Sequence, residues 1–142
     1  MIEFNFNSQI CTTREQSERL LALGLKKETA DMFYAAVHNG TKVVGYRISP
    51  DYNDEHFEIF TDDIPAWSLH RLIEIVQSIF IRVNLCGWWV QIVRKLYNEE
   101  YYGATYNNLY DNLIDCIEWL INEAHLSKIY LDNIQETQYN NL

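Results

Sequence analysis

The dipeptide Asn39-Gly40 lies between two apolar, strand-like runs in "MFYAAVHNGTKVVGYRI". This pair accepts the positive φ angles of a type I′ turn, whose twist matches that of two paired antiparallel strands. The chain is therefore committed to at least one β-hairpin. Along its second strand Val44, Tyr46 and Ile48 share one face, with Gly45 and Arg47 on the other.

Helical periodicity frames this hairpin. "CTTREQSERLLALGL" predicts an amphipathic helix, with Thr12 and Glu15, or Thr13 and Gln16, placed for a capping box. Gly24 stands where a left-handed C-terminal cap is expected. "KKETADM" adds a short helical turn. "PAWSLHRLIEIVQ" predicts a second helix capped by Ser68, with Leu69, Leu72, Ile73 and Val76 as its apolar stripe. The strongest helix is "NNLYDNLIDCIEWLINEAHL". Leu109, Leu113, Cys116, Ile117, Leu120, Ile121 and Ala124 fall on one side, and Asn108 is placed as its N-cap.

Between the last two helices the period drops to two. Ile79, Ile81, Val83 and Leu85 alternate, Gly87 permits a turn, and Trp88, Val90 and Ile92 alternate again. Asn98-Glu99 can turn the chain into a further strand over Tyr101–Tyr106. The expected fold is α+β: an antiparallel sheet of about four to five strands, with about three helices packed mainly on one face. At 142 residues one domain, 1–142, is expected, long enough to bury a core without staples. The ends, 1–8 and 134–142, lack a core pattern and are expected to fray.

Charge narrows the function classes. The chain carries −9, and from Leu96 onward Lys128 stands against eight carboxylates. Phosphate binding needs a basic face, so direct nucleic-acid binding is not expected. An acidic surface favours solubility or a basic protein partner. Cys11, Cys86 and Cys116 are widely spaced, with no CxxC pair, and read as small hydrophobes in a reducing compartment. No basic stretch followed by an apolar run opens the chain, and no run reaches membrane-spanning length. A cytoplasmic protein with no membrane contact is expected.

The acidic stretch 51–69, "DYNDEHFEIFTDDIPAWSL", holds six carboxylates and no lysine or arginine. Counted as an EF-hand loop, it puts Asp51, Asn53, Glu55 and Asp62 at ligand positions. His56, however, occupies the position that needs glycine for the sharp turn. Asp62 also stands where a bidentate glutamate is usual. The expectation is a solvated acidic loop, with no metal and no cofactor; a calcium-stabilised domain is the alternative. Asp62 and Asp63 are adjacent, so in extended chain they diverge and make a poor acid-base pair. Cys86 with His70 is a nucleophile pair that only the fold can assemble. Ser68-x-His70 is better explained by capping than by a triad.

The aromatic residues carry the remaining signal. Trp67, Trp88, Trp89 and Trp119 are spread over separate elements, as core residues are. Trp88 and Trp89, adjacent on a strand, are expected to face opposite sides of the sheet. Tyr97, Tyr101, Tyr102, Tyr106 and Tyr110 crowd the same region. A sheet covered on one face exposes part of such a set, and exposed aromatic patches mark interfaces. Stacking on single-stranded nucleic acid would use similar residues, but it also requires a basic groove.

The ordered segments "TTREQSERLLALGL", "ETADM", "DDIPAWSLHRLIEIV" and "DCIEWLINEAHL" resemble a family of small uncharacterised proteins from prophages and mobile elements of gut anaerobic bacteria. The likeness runs from about Thr12 to Leu126, and "IPAWSL" and "WLINE" are its most distinctive pieces. None is a catalytic signature, so no functional residue is carried over. The resemblance implies an α+β fold and a bacterial or phage cytosolic setting.

Together these readings favour a non-enzymatic accessory or protein-interaction protein of a bacterial phage or mobile element. Its partner is expected to be another protein or a second copy of the chain. The expected contact residues are Trp89, Tyr101, Tyr102, Tyr106, Glu118 and Glu123. A specific version is a phage inhibitor that presents carboxylates to a basic host site. The alternative is a small enzyme of unassigned reaction using His70, Cys86 and the acids near Asp62.

Overall fold

The computed structural model describes residues 8–50 and 62–132. Among these residues three α-helices form, α1 (Arg14–Ala22), α2 (Leu69–Val76) and α3 (Leu109–Asn122). The six strands are β1 (Met32–Asn39), β2 (Lys42–Pro50), β3 (Ile64–Ala66), β4 (Ile81–Cys86), β5 (Trp89–Arg94) and β6 (Glu99–Gly103). The fold is α+β.

Local chemistry sets the helix starts. The Thr13 hydroxyl accepts from the Gln16 backbone N–H, and the Gln16 side chain accepts from the Thr13 N–H, a complete capping box. Ser68 and Asn108 cap α2 and α3 with the side-chain half alone, accepting from the Arg71 and Asp111 N–H groups. Gly24, at φ +99°, ends the first helical segment in the left-handed region.

The sheet differs from the expected single unit of four to five strands. The strands divide into two antiparallel three-stranded sheets, ordered β2-β1-β3 and β4-β5-β6. The sixth strand is β3, where Phe33 pairs with Pro65. Proline is tolerated there because β3 is an edge strand. Three residues containing a proline leave no alternating signature in the sequence, so β3 arises from pairing rather than pattern.

The β1-β2 and β4-β5 hairpins each close on a two-residue turn with glycine first. Asn39 pairs with Lys42, so Gly40 and Thr41 are the central residues, one position beyond the expected Asn39-Gly40. Cys86 pairs with Trp89, which makes Gly87 and Trp88 the second turn. Gly40 (φ +66°) and Gly87 (φ +62°) are left-handed, whereas Thr41 and Trp88 are not. That is the type II′ pattern rather than type I′. In the first hairpin the register shifts between Val37 and His38, which leaves Val44 as the extra, exposed residue of a bulge.

The helices form the layer that links the sheets. Helix α1 touches β3 and α3, α2 touches α3 and β4, and α3 lies across β5 and β6. Leu113, Ile117 and Leu120 of α3 are fully buried with Val90 and Ile92 of β5, and Trp67 and Phe33 join the same core. Close approach of α3 to β6 requires Gly103. A Cβ there would collide with the Asn112 carbonyl oxygen and stand 2.8 Å from the Cys116 sulfur. Among the described residues no helix is long and apolar enough to cross a membrane.

Candidate functional site

The face of the β4-β5-β6 sheet turned away from α3 is defined by its register. Val90 and Ile92 point into the core, so Trp89, Gln91 and Val93 alternate to the other side, where Trp89 is exposed and Gln91 half-buried but Val93 is covered, at 7% exposure. Their cross-strand neighbours complete three rungs: Arg82, Val93 and Glu100; Asn84, Gln91 and Tyr102; and Cys86 with Trp89. Directed hydrogen bonds join the middle rung. Asn84 donates to Gln91 Oε1 at 2.9 Å, Gln91 donates to the Tyr102 hydroxyl at 3.0 Å, and Tyr102 donates to Glu100 at 3.2 Å. The Glu100 carboxylate beside it pushes the Tyr102 hydroxyl above its ordinary pKa. Glu100 is thereby oriented from the centre of the face.

At one end of this face lies an aromatic tip. Trp88 and Trp89 are each 53% exposed, and with Cys86 and Gly87 they line a shallow recess of about 350 Å³. They do not divide between core and surface as expected. The turn takes up Trp88 and removes it from the strand alternation, and Trp89 occupies an outward position. Asn112, fully buried on α3, fixes the tip from behind. Its amide nitrogen donates to the Trp88 carbonyl and, at 2.9 Å, to the Tyr106 carbonyl. Its Oδ1 accepts from the Tyr106 N–H at 3.0 Å. The Trp88 and Tyr106 loops are thus tied to one helix residue. A polar residue among the inward positions of α3, one turn from Leu109 and Cys116, was the signal for it.

The other expected contact residues are placed as follows. Tyr102 is 53% exposed on the outer face, and Tyr106 is exposed in the β6–α3 loop. Tyr101 lies on the helix side. Its ring stacks on Trp119 at 4.9 Å, and its hydroxyl donates to Asp115 at 3.2 Å. Burial, then the neighbouring Asp115, pushes it up to about 12. Glu118 accepts from Arg19 at 3.0 Å, and Glu123 is the exposed C-cap of α3. The acidic side of α3 is therefore partly neutralised by Arg19, which also lies 3.8 Å from Asp115.

The residues considered for chemistry are held in separate interactions. His70 pairs with Glu74 within α2 at 3.3 Å. Cys86 belongs to the aromatic tip, and burial pushes the Cys116 thiol up to about 12 and raises that of Cys11. Both acids before α2 reach β1: Asp63 accepts the Ala36 N–H at 2.9 Å, and Asp62 lies 3.5 Å from His38 Nε2. Asp51, Asn53, Glu55 and His56 lie outside the described residues. Among the described residues no group of three or more His, Cys, Asp or Glu side chains is placed to hold a metal ion. No family model, curated protein or solved structure matches this chain.

Proposed function

We propose that this chain is a non-enzymatic interaction protein, an accessory of a bacterial phage or mobile element, that binds protein through the outer face of β4-β5-β6. The observation behind this reading is the paired exposure of Trp88 and Trp89 on a turn that Asn112 holds rigid. Exposing two indoles to water is unfavourable by transfer free energy, and the fold spends a buried asparagine to keep them in place. Tryptophan, tyrosine and arginine are the residues that dominate binding energy at protein interfaces, and this face presents all three. Arg82 is balanced by Glu100 in the same rung, so the face offers no basic track for a phosphate backbone.

The test is affinity capture from host lysate at low and high salt, comparing the wild type with a Trp89→Ser, Tyr102→Ser double variant. Both positions are exposed, so the variant keeps its fold. A protein retained by the wild type and lost by the variant is the expected result. Equal retention by both would place binding elsewhere. A partner lost at high salt with the wild type alone would point to charge on the acidic α3 side as a second contact.

A further inference from the structure

We infer that the occupant of this face is a second copy of the chain, packed sheet on sheet about a two-fold axis that runs along β5. The inference rests on the reading of this face as a protein-contact surface and names the partner. Its basis is the symmetry of the rungs. Arg82 on β4 and Glu100 on β6 both pair with Val93, so they flank the central strand at the same level on opposite sides. Both are exposed.

A two-fold interface must be complementary to itself. An axis parallel to β5 exchanges the two flanks of the sheet and preserves the level along the strand. It sets Arg82 of each copy over Glu100 of the other, which makes two opposite-charge contacts. The same operation sets Asn84 opposite Tyr102 and brings Trp89, Gln91 and the covered Val93 to the axis, each against its own counterpart. An axis across the strands exchanges top and bottom instead. Arg82 would then meet Cys86, and Glu100 would lose its countercharge. Only the first arrangement compensates both charges.

Among the described residues, the acidic side chains of α3 stay clear of this approach. The chain carries −9, but Asp111, Asp115 and Glu118 belong to α3, behind the sheet. The outer rung itself holds one positive and one negative side chain. The hydrogen-bonded series Asn84, Gln91, Tyr102 and Glu100 fixes the carboxylate before contact, which lowers the ordering cost of binding. Size sets the strength. Three strands of about six residues present a footprint of about 300 Å². A standard interface buries about 800 Å² per partner. The dimer therefore belongs to the weak, reversible class.

Sedimentation equilibrium of the purified full chain, from micromolar to millimolar loading, tests this directly. The wild type is expected to show a concentration-dependent monomer–dimer equilibrium. Arg82→Glu alone and Glu100→Arg alone each set like charges together and should weaken it at least about tenfold. An equimolar mixture of the two variants should dimerise again, because each reversed side chain then meets its opposite. Thermal melts check that both variants are folded. A wild type that stays monomeric overturns the inference. So does a dimer indifferent to either reversal, or a mixture that stays monomeric. If the wild type is monomeric and lysate capture still depends on Trp89 and Tyr102, the contact face stands and only its assigned partner falls.

Discussion

The β1-β2 and β4-β5 hairpins solve one local problem in the same way and then part company. Each closes on a glycine-first two-residue turn, Gly40-Thr41 in one and Gly87-Trp88 in the other. The β1-β2 hairpin carries a polar tip of His38, Asn39 and Lys42 and a bulge at Val44. The β4-β5 hairpin runs in unbroken register to two exposed tryptophans, and Asn112 hydrogen-bonds its turn from the helix layer. A bulge adds local twist, and the edge strand that bears it is a poor template for pairing. An anchored, aromatic hairpin in unbroken register is suited to contact. Turn chemistry specified both hairpins, whereas support from α3 distinguishes the one presented for binding.

The largest effect that separates the two regions concerns glycines within strands. Gly103 lies under the backbone of α3, while a Cβ added to Gly45 of β2 would meet nothing within 4 Å. Gly103→Ala should cost about 1–3 kcal/mol by overpacking. Gly45→Ala should stay within about 0.5 kcal/mol. Urea denaturation of the two variants measures both. Equal effects would remove the claimed difference in support.

A smaller and more local effect is expected from Asn112→Ala. It leaves the Trp88 and Tyr106 carbonyls without this donor, at a cost of about 1 kcal/mol or more. Hydrogen exchange should quicken at the β4-β5 turn and the β6–α3 loop and stay unchanged at the Gly40 turn. Uniform quickening of both hairpins would mean that Asn112 serves global stability rather than the tip.

The smallest effects are titrations, one on β6 at Tyr101 and one just past the end of α3 at His125. The hydroxyl of Tyr101 is raised to about 12 in the folded chain. Its neutral form is favoured by folding, so the stability it contributes is complete below about pH 10 and is lost between about 10 and 12. Tyr101→Phe should flatten the fall in Tm over that alkaline window. His125 is lowered, by burial first and then by Arg94. A depressed base contributes stability that is complete above about pH 6.5 and declines as the pH falls below it. His125→Gln should flatten that acid-side decline, and an unchanged pH profile in either variant would contradict the stated burial.

How much of this was legible in the sequence depended on range. Thr13, Ser68 and Asn108 were readable as caps because capping spans three residues. The Gly87 turn was readable too, but a one-residue difference in its placement decides whether Trp88 joins the strand or leaves it. Strand β3 was not readable, because three residues including Pro65 acquire their state only by pairing with β1. The division into two sheets likewise depends on which strands meet, a long-range outcome that alternation does not encode. Within the contact face, Trp89 and Tyr102 stand out by composition and crowding. Arg82, Asn84, Gln91 and Glu100 emerge only once register sets them in rungs. Tyr101, one residue from Tyr102, falls on the opposite side by the same alternation.

Site-specific photocrosslinking tests the central claim most directly. Trp89 and Val44 are matched in exposure, at 53% and 57%, and lie on the two different hairpins. Each is replaced in turn by benzoylphenylalanine, and the full-length protein is irradiated in host lysate. The account predicts covalent protein adducts from position 89 and none from position 44. Adducts from position 44 with none from position 89 would contradict it.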